Sequence, residues 1–508
     1  MRFPRAAGVL LHPTSLPGPC GSGDLGPGAY HFVDWLATGG QGLWQVLPLG
    51  GIGPGHSPYM STSAFAGNEL LVDLAELRDR GWLDTRDIEP LPGFSERSVA
   101  FDAVVPYRRE RLAKAARRFE TSASAAERGE LAAFTATHAG WLHDYALFMA
   151  LSEHFGALGR STWCDWDEPF ARRDPSALRA AATDLAADVA FWIFCQWIFH
   201  WQWQRLRDYA NRRGVRIVGD VPIFVAHHSA DVWAHPGLFE LDAAGRPLVV
   251  GGVPPDLFSA TGQRWGNALY RWQIHAHDGY AWWIERMRHT LALVDAARVD
   301  HFRGFAAYWE ILASDPTAIN GRWVEGPGVA LFQAIETALG PLPVIAEDLG
   351  VITPDVDRLR QQFGFPGMRV LQFAWAQDDG SANRYLPHNH EPDAVAYTGT
   401  HDNDTAVGWW STAPEAARQH LREYLASDGH DIAWDLIRAV HASVADTAIV
   451  PLQDLLRLGS EHRMNVPSAD HGQWRWRFSW ADVGSNTAAD LLRITRLYGR
   501  TEPPAPQR

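Results

Sequence analysis

Lysine is almost missing from this 508-residue chain: the 45 basic residues are arginine except for Lys114. That excludes a lysine Schiff base anywhere but at Lys114, and it excludes a Walker-type phosphate loop. Cysteine is scarce too. Cys20, Cys164 and Cys195 are odd in number and lack metal-ligand spacing, so neither a disulfide framework nor a zinc knuckle is expected. No basic block interrupts a net charge of −14, which argues against nucleic acid as a partner. The most apolar stretch, Val189–Phe199, is too short to span a bilayer, and Met-Arg-Phe-Pro-Arg is not followed by a signal core. The expectation is a cytoplasmic protein with no membrane partner. No internal repeat occurs, and no Pro/Ser linker precedes the Pro-rich tail from Pro503.

What is abundant is apolar and aromatic surface. Hydrophobic residues make up 46% of the chain and aromatics 12%, ample for a large core. Trp reaches 24. Core packing accounts for most of them; the remainder are candidates for stacking on the C–H face of a sugar ring.

Eight short apolar runs stop at turn signals or charged residues: Gly8–His12, Leu43–Pro48, Val215–Val225, Ala297–Phe302, Val344–Glu347, Gly367–Ala374, Ala394–Gly399 and Ala448–Leu452. Helical patterns alternate with them. Leu331, Phe332, Ile335 and Leu339 share a face, and Tyr280, Trp283, Ile284, Met287, Leu291 and Val294 recur at helical spacing. Thr353-Pro354 reads as a helix start, Thr412 and Glu415 as a capping box, and Gly214 as the end of a long aromatic helix from Leu185. Eight such units predict an α/β fold, a (β/α)8 TIM barrel running through residues 1–508. Two insertions are expected, mainly helical: a helical subdomain at about 50–183 and active-site loops at about 226–278. No separate C-terminal β domain is expected.

In such a barrel, polar groups at the C-terminal strand ends converge on one mouth. Here they are Asp220, Arg298, Asp300, Glu347, His401 and Asp402. One Asp after a strand is commonly a helix cap, but several on one rim are not explained by capping. Two acids flanking a glycosidic bond suffice for double displacement. Arg298, two residues before Asp300, points to the same side of its strand and favours an ionised Asp300. Alternation turns Asp348 away from Glu347. Asp402 would grip sugar hydroxyls as the ring gains positive charge. Three rivals stand beside this reading. A metal-dependent barrel hydrolase would draw on His12, His227, His228, His301 and His401, but there is no His-x-His on the first strand and no bridging lysine. A non-catalytic glucan-binding protein would explain the Trp content but not Asp300 and Glu347. An α-glucan hydrolase would use the same three acids.

Several motifs carry a family resemblance: Arg298-Val-Asp-His-Phe-Arg-Gly, Ala346-Glu-Asp-Leu-Gly, Tyr397-Thr-Gly-Thr-His-Asp-Asn-Asp-Thr, Ser57-Pro-Tyr, Gly219-Asp-Val-Pro-Ile-Phe-Val and Gly252-Val-Pro-Pro-Asp. They resemble the 4-α-glucanotransferases (amylomaltases, or disproportionating enzymes) of glycoside hydrolase family 77, nearly end to end. The resemblance implies Asp300 as nucleophile, Glu347 as general acid/base and Asp402 as transition-state stabiliser. It further implies that Tyr59, Asp220, Arg298 and His401 hold the sugar at the cleavage point, with His301 beside them. Asp256, Trp265, Phe373 and Asn465 would line neighbouring subsites. The implied partners are α-1,4-glucans and maltooligosaccharides; no cofactor or metal is implied. The chain departs from the family at Pro54 and His56, where an aromatic and an acid are common. It departs again at His227-His228 and at Gln473-Trp-Arg-Trp.

Overall fold

The computed structural model describes residues 5–255, 259–375, 380–467, 469 and 471–501. Its strands in chain order are β1 (Ala6–Leu10), β2 (Leu43–Gln45), β3 (Arg216–Val221), β4 (Val249–Val253), β5 (Gln263–Ala268), β6 (Ala296–Val299), β7 (Ala307–Leu312), β8 (Arg322–Glu325), β9 (Val344–Ala346), β10 (Gly367–Val370), β11 (Ala394–Tyr397) and β12 (Thr447–Pro451). Eight of them close into a parallel barrel in the order β1-β12-β11-β10-β9-β6-β3-β2. Helices cover its outside, so both faces of the sheet are buried and the strands read as unbroken apolar runs. All five residues of β1 and of β12 are buried. Closure also sets local residue choice: a Cβ at Gly8 would lie 2.5 Å from the Leu43 side chain of the paired strand.

The eight sequence-predicted strands coincide with the barrel strands, but all eight apolar runs extend one to four residues past the C-terminal end of the strand. The overrun has one cause. Beyond the last barrel pairing the chain stays largely buried while it turns, so buried Phe302 and half-buried Phe373 lie in 3-10 turns (Phe302–Phe305 and Leu371–Ala374) although they continue an apolar pattern. The expected capping box also fails. Thr412 is the last residue of helix Ala406–Thr412 and its hydroxyl bonds back to Gly408 O and Trp409 O, while Pro414 caps Glu415–Leu425.

The first long insertion is helical, with helices at Phe101–Ser122, Ala125–Thr137 and Leu142–Ala157 leading to Ala186–Arg212. The second is not. β4 and β5 from the segment after β3 join β7 and β8 from the segment after β6 in an antiparallel sheet of order β5-β4-β7-β8. These strands escaped the sequence reading because partners come from two insertions and their composition is mixed, as in Arg322-Trp-Val-Glu. Among the described residues no helix is long and apolar enough to cross a membrane. All three cysteines are free thiols.

Three imidazoles meet where the helical insertion joins the barrel. His138, His200 and His289 have ring centroids 5.2, 5.5 and 5.8 Å apart, packed among Phe65, Phe134 and Trp141. Burial lowers the pKa of all three, that of His289 to about 4. The folded chain therefore holds them neutral while the unfolded chain protonates them below its own value near 6.5. Stability present above pH 6.5 is lost as pH falls from there towards 4, and His289 alone costs ~2 kcal/mol at pH 5. The expected result is a urea midpoint lower at pH 5 than at 7.5, with His289→Leu showing a smaller drop. An equal drop in both proteins would remove the cluster as its cause.

Candidate active site

The C-terminal rim collects its ionisable groups from β2, β3, β6, β9 and β11, and pairing register explains the first contact. Asp220 of β3 stands opposite Arg298 of β6. The Arg298 guanidinium spans two carboxylates, donating from Nη1 to Asp220 Oδ2 (2.6 Å) and from Nη2 to Asp300 Oδ1 (2.7 Å). This is the same-side relation expected from alternation two residues apart. The Tyr59 hydroxyl donates to Asp220 Oδ2 (2.8 Å) from the 3-10 turn Pro58–Met60, whose Tyr59 amide is capped by Ser57 Oγ. Burial opposes charge on Arg298, yet Asp220 and Asp300 outweigh it and hold the guanidinium protonated well above its ordinary range. Burial, with the Asp220 charge, also pushes the Tyr59 phenol well up, so it remains a donor.

Glu347 follows β9 in the neighbouring barrel position. Its two oxygens each accept a backbone N–H, Oε2 from His301 (2.7 Å) and Oε1 from Leu349 (2.9 Å). Burial and then the Asp300 charge raise its pKa to about 8, against the pull of Arg298 and of the Leu349 amide. Asp348 faces away, as alternation requires. It is fully buried and accepts from Met368 N (2.6 Å), Arg384 Nη2 (2.8 Å) and Arg369 Nη1 (3.2 Å). It packs so closely on β10 that a Cβ at Gly367 would sit 2.3 Å from its Oδ2.

The third cluster follows β11. Asp402 accepts from Asn465 Nδ2 at Oδ1 (2.7 Å), and His401 Nε2 lies 3.3 Å from its Oδ2. Arg463 Nη2 donates to the Asp402 carbonyl (2.9 Å) and the Asn465 amide to that of His401 (3.1 Å), so the 463–465 loop is laced onto the strand end. The His401 ring stacks on Tyr59 with centroids 5.2 Å apart, and Trp474 lies against both, 5.7 Å from Tyr59 and 5.9 Å from His401.

Trp265, at the β5 edge of the small sheet, meets His301 edge to face at 4.9 Å. His301 is half-buried, and the loss of solvation there lowers its imidazole to about 4, so it is neutral near pH 7. Phe373 stands at the end of β10 and packs on Tyr385 at 5.4 Å. Asp256 lies outside the described residues. Trp474 stands out in the sequence only as part of the Gln473-Trp-Arg-Trp departure, and Arg463 does not stand out at all. Both belong to the irregular 463–480 segment, which lacks periodicity, and Trp474 adopts a left-handed backbone (φ +65°) that no residue preference announces.

The five histidines of the metal-hydrolase reading do not meet at one point. His227 Nε2 meets Gly245 O (2.8 Å) and His228 contacts Ser152 Oγ (3.1 Å) and the Trp163 amide (3.1 Å), all on the insertion side. His12 lies with His401 on a cavity of about 30 Å³, and burial brings it to about 3. Among the described residues no three His, Cys, Asp or Glu side chains are grouped to hold a metal ion.

Comparison with known proteins bears directly on this arrangement. The sequence profile of the 4-alpha-glucanotransferase family matches residues 11–482. The 4-alpha-glucanotransferase of Thermus thermophilus is 51% identical over 508 residues, covering 98% of this chain and 100% of the relative. The chloroplastic/amyloplastic 4-alpha-glucanotransferase of Solanum tuberosum is 44% identical, covering 98% of this chain and 86% of the relative. Among solved structures, the amylomaltase from Streptococcus agalactiae in complex with acarbose superposes with a TM-score of 0.94 at 38% identity, covering 98% of this chain and 99% of that one. A closed parallel barrel with its ionisable side chains gathered at one rim is the architecture of a (β/α)8-barrel enzyme. This chain belongs to the 4-alpha-glucanotransferase family, glycoside hydrolase family 77, and is a transferase.

Proposed function

We propose that the protein transfers α-1,4-glucan segments to the 4-hydroxyl of another glucan or of glucose, by double displacement with retention at the anomeric carbon. Asp300 attacks C1 of the sugar at the cleavage point. Arg298 engages its Oδ1, so Oδ2 is the oxygen we assign to attack. The C1–O4 bond breaks and the departing O4 takes the proton of Glu347, leaving a covalent glycosyl-aspartate. In the second half Glu347, now a carboxylate, removes the proton of an acceptor 4-hydroxyl. That oxygen bonds to C1 and Asp300 is released. Asp402, steered by Asn465 and His401, holds sugar hydroxyls more tightly as the ring flattens and gains positive charge. Tyr59, Asp220 and Arg298 orient the same sugar. His401 and His301 lie beside them, and Trp265, Phe373, Asn465 and Asp256 are assigned to the sugars on either side.

The observation that carries this reading is the contrast between the two acids. Glu347 is buried and raised to about 8, so it still holds a proton at neutral pH, while Asp300 is ion-paired to Arg298. That the Streptococcus agalactiae amylomaltase is in complex with acarbose supports a carbohydrate ligand for this chain. Transfer outruns hydrolysis when a bound acceptor displaces water, and the loop bearing Tyr59 is the side chain source we assign to that exclusion. On maltotriose the expected products are glucose plus a ladder of longer maltooligosaccharides. Reducing ends rising one-for-one with cleaved bonds would instead identify a hydrolase using the same acids.

A further inference from the structure

We infer that His301 is a positioning residue for the acid/base, acting through a left-handed backbone that aims its own N–H at Glu347. The residue follows Asp300 directly and has φ 49° and ψ 50°, a left-handed region that residues other than Gly, Asn, Asp and His itself rarely occupy. The turn begins there: the Gly304 amide donates to His301 O (2.9 Å), and the Phe302 amide to the Glu347 carbonyl (3.1 Å). The His301 N–H thereby points across the barrel rim to Glu347 Oε2 at 2.7 Å. One conformational choice after the nucleophile thus orients the acid on the neighbouring strand, and the Trp265 ring packed on the imidazole holds the choice in place.

The chemical consequence lies in the proton of Glu347. An N–H directed at a carboxyl oxygen stabilises the charged form, the state required to activate the acceptor. Burial and Asp300 favour the protonated form, the state required to expel the leaving group. Arg298 from β6, Asp348 beside Glu347 and the Tyr385 phenol after β10 complete the ionisable surroundings. Of these groups the two amides, from His301 and Leu349, contact Glu347 directly, one on each oxygen. Losing the His301 amide leaves the acid too reluctant to ionise.

The test compares two substitutions that both remove the imidazole. His301→Asn keeps a residue that tolerates the left-handed region, whereas His301→Val installs a β-branched one that does not. With the full-length enzyme and maltotriose, the alkaline limb of kcat/KM against pH is expected to move up by about one unit in the Val variant and to stay in place in Asn. Any effect of imidazole loss on KM is common to both. His301→Thr, β-branched but polar, serves in place of Val should that variant be unfolded. An unmoved limb in both variants overturns the inference, and so does an equal shift in both, which would assign the effect to the imidazole. The inference rests on Glu347 as acid/base; retained turnover in Glu347→Ala would sink that role, whereas an unmoved limb in His301→Val with that role intact sinks only this one.

Discussion

Asp300→Ala is expected to abolish transfer and hydrolysis together, lowering turnover of maltotriose by about 10⁴-fold or more, because in the proposed mechanism both begin with the same covalent step. The loss should appear without unfolding. Arg298 keeps its bond to Asp220 Oδ2, and Asp220 keeps Tyr59, so the buried cation is not left unpaired. Asp300 is also the less enclosed partner, with 29% of its side chain exposed against 4% for Arg298, so its truncation opens little core. Circular dichroism melting beside the activity assay separates the two effects. A variant that melts normally and still turns over would remove Asp300 from the mechanism.

Glu347→Ala is expected to lower turnover of maltooligosaccharides by about 10³-fold or more, while an α-maltosyl fluoride, whose leaving group needs no proton, is still cleaved in the first step. Its second step lacks a base, so mass spectrometry should find the chain carrying a covalent glycosyl group. Glu347→Gln is a poorer probe than its shape suggests. Both carboxylate oxygens accept backbone N–H groups, and the amide nitrogen of Gln would face one of them as a second donor. That mismatch costs about 1–3 kcal/mol of stability on top of the catalytic defect. In the proposed mechanism the first step requires protonated Glu347, so kcat/KM of the unsubstituted enzyme should fall as pH rises through about 8. Equal losses for maltotriose and the fluoride in Glu347→Ala would refute proton donation by this residue.

Much of the rim was readable in one dimension because a parallel barrel converts sequence order into position. Each apolar run had to be a strand buried on both faces, and each residue just past a run had to lie on one rim. Asp220, Asp300, Glu347 and Asp402 could therefore be assembled from positions 182 residues apart without knowing any side-chain contact. Strand alternation separated Arg298 and Asp300 from their neighbours and turned Asp348 away, as its bonds to Arg369 and Arg384 show. The same reasoning failed for β4, β5, β7 and β8. Their pairing joins two insertions, and period-2 signals four to six residues long do not stand out from loop composition.

The amino-acid order by itself determined the barrel, its eight strands and the identity of the acids at its mouth, because burial on two faces and a pleat of period 2 are local constraints. Only the tertiary structure decided which acid keeps its proton. That depends on the burial of Glu347, on the Asp300 charge beside it, and on two backbone amides from different strands, one of them aimed by a left-handed histidine. Desolvation and charge proximity are properties of three-dimensional neighbours, and no periodicity along the chain encodes them.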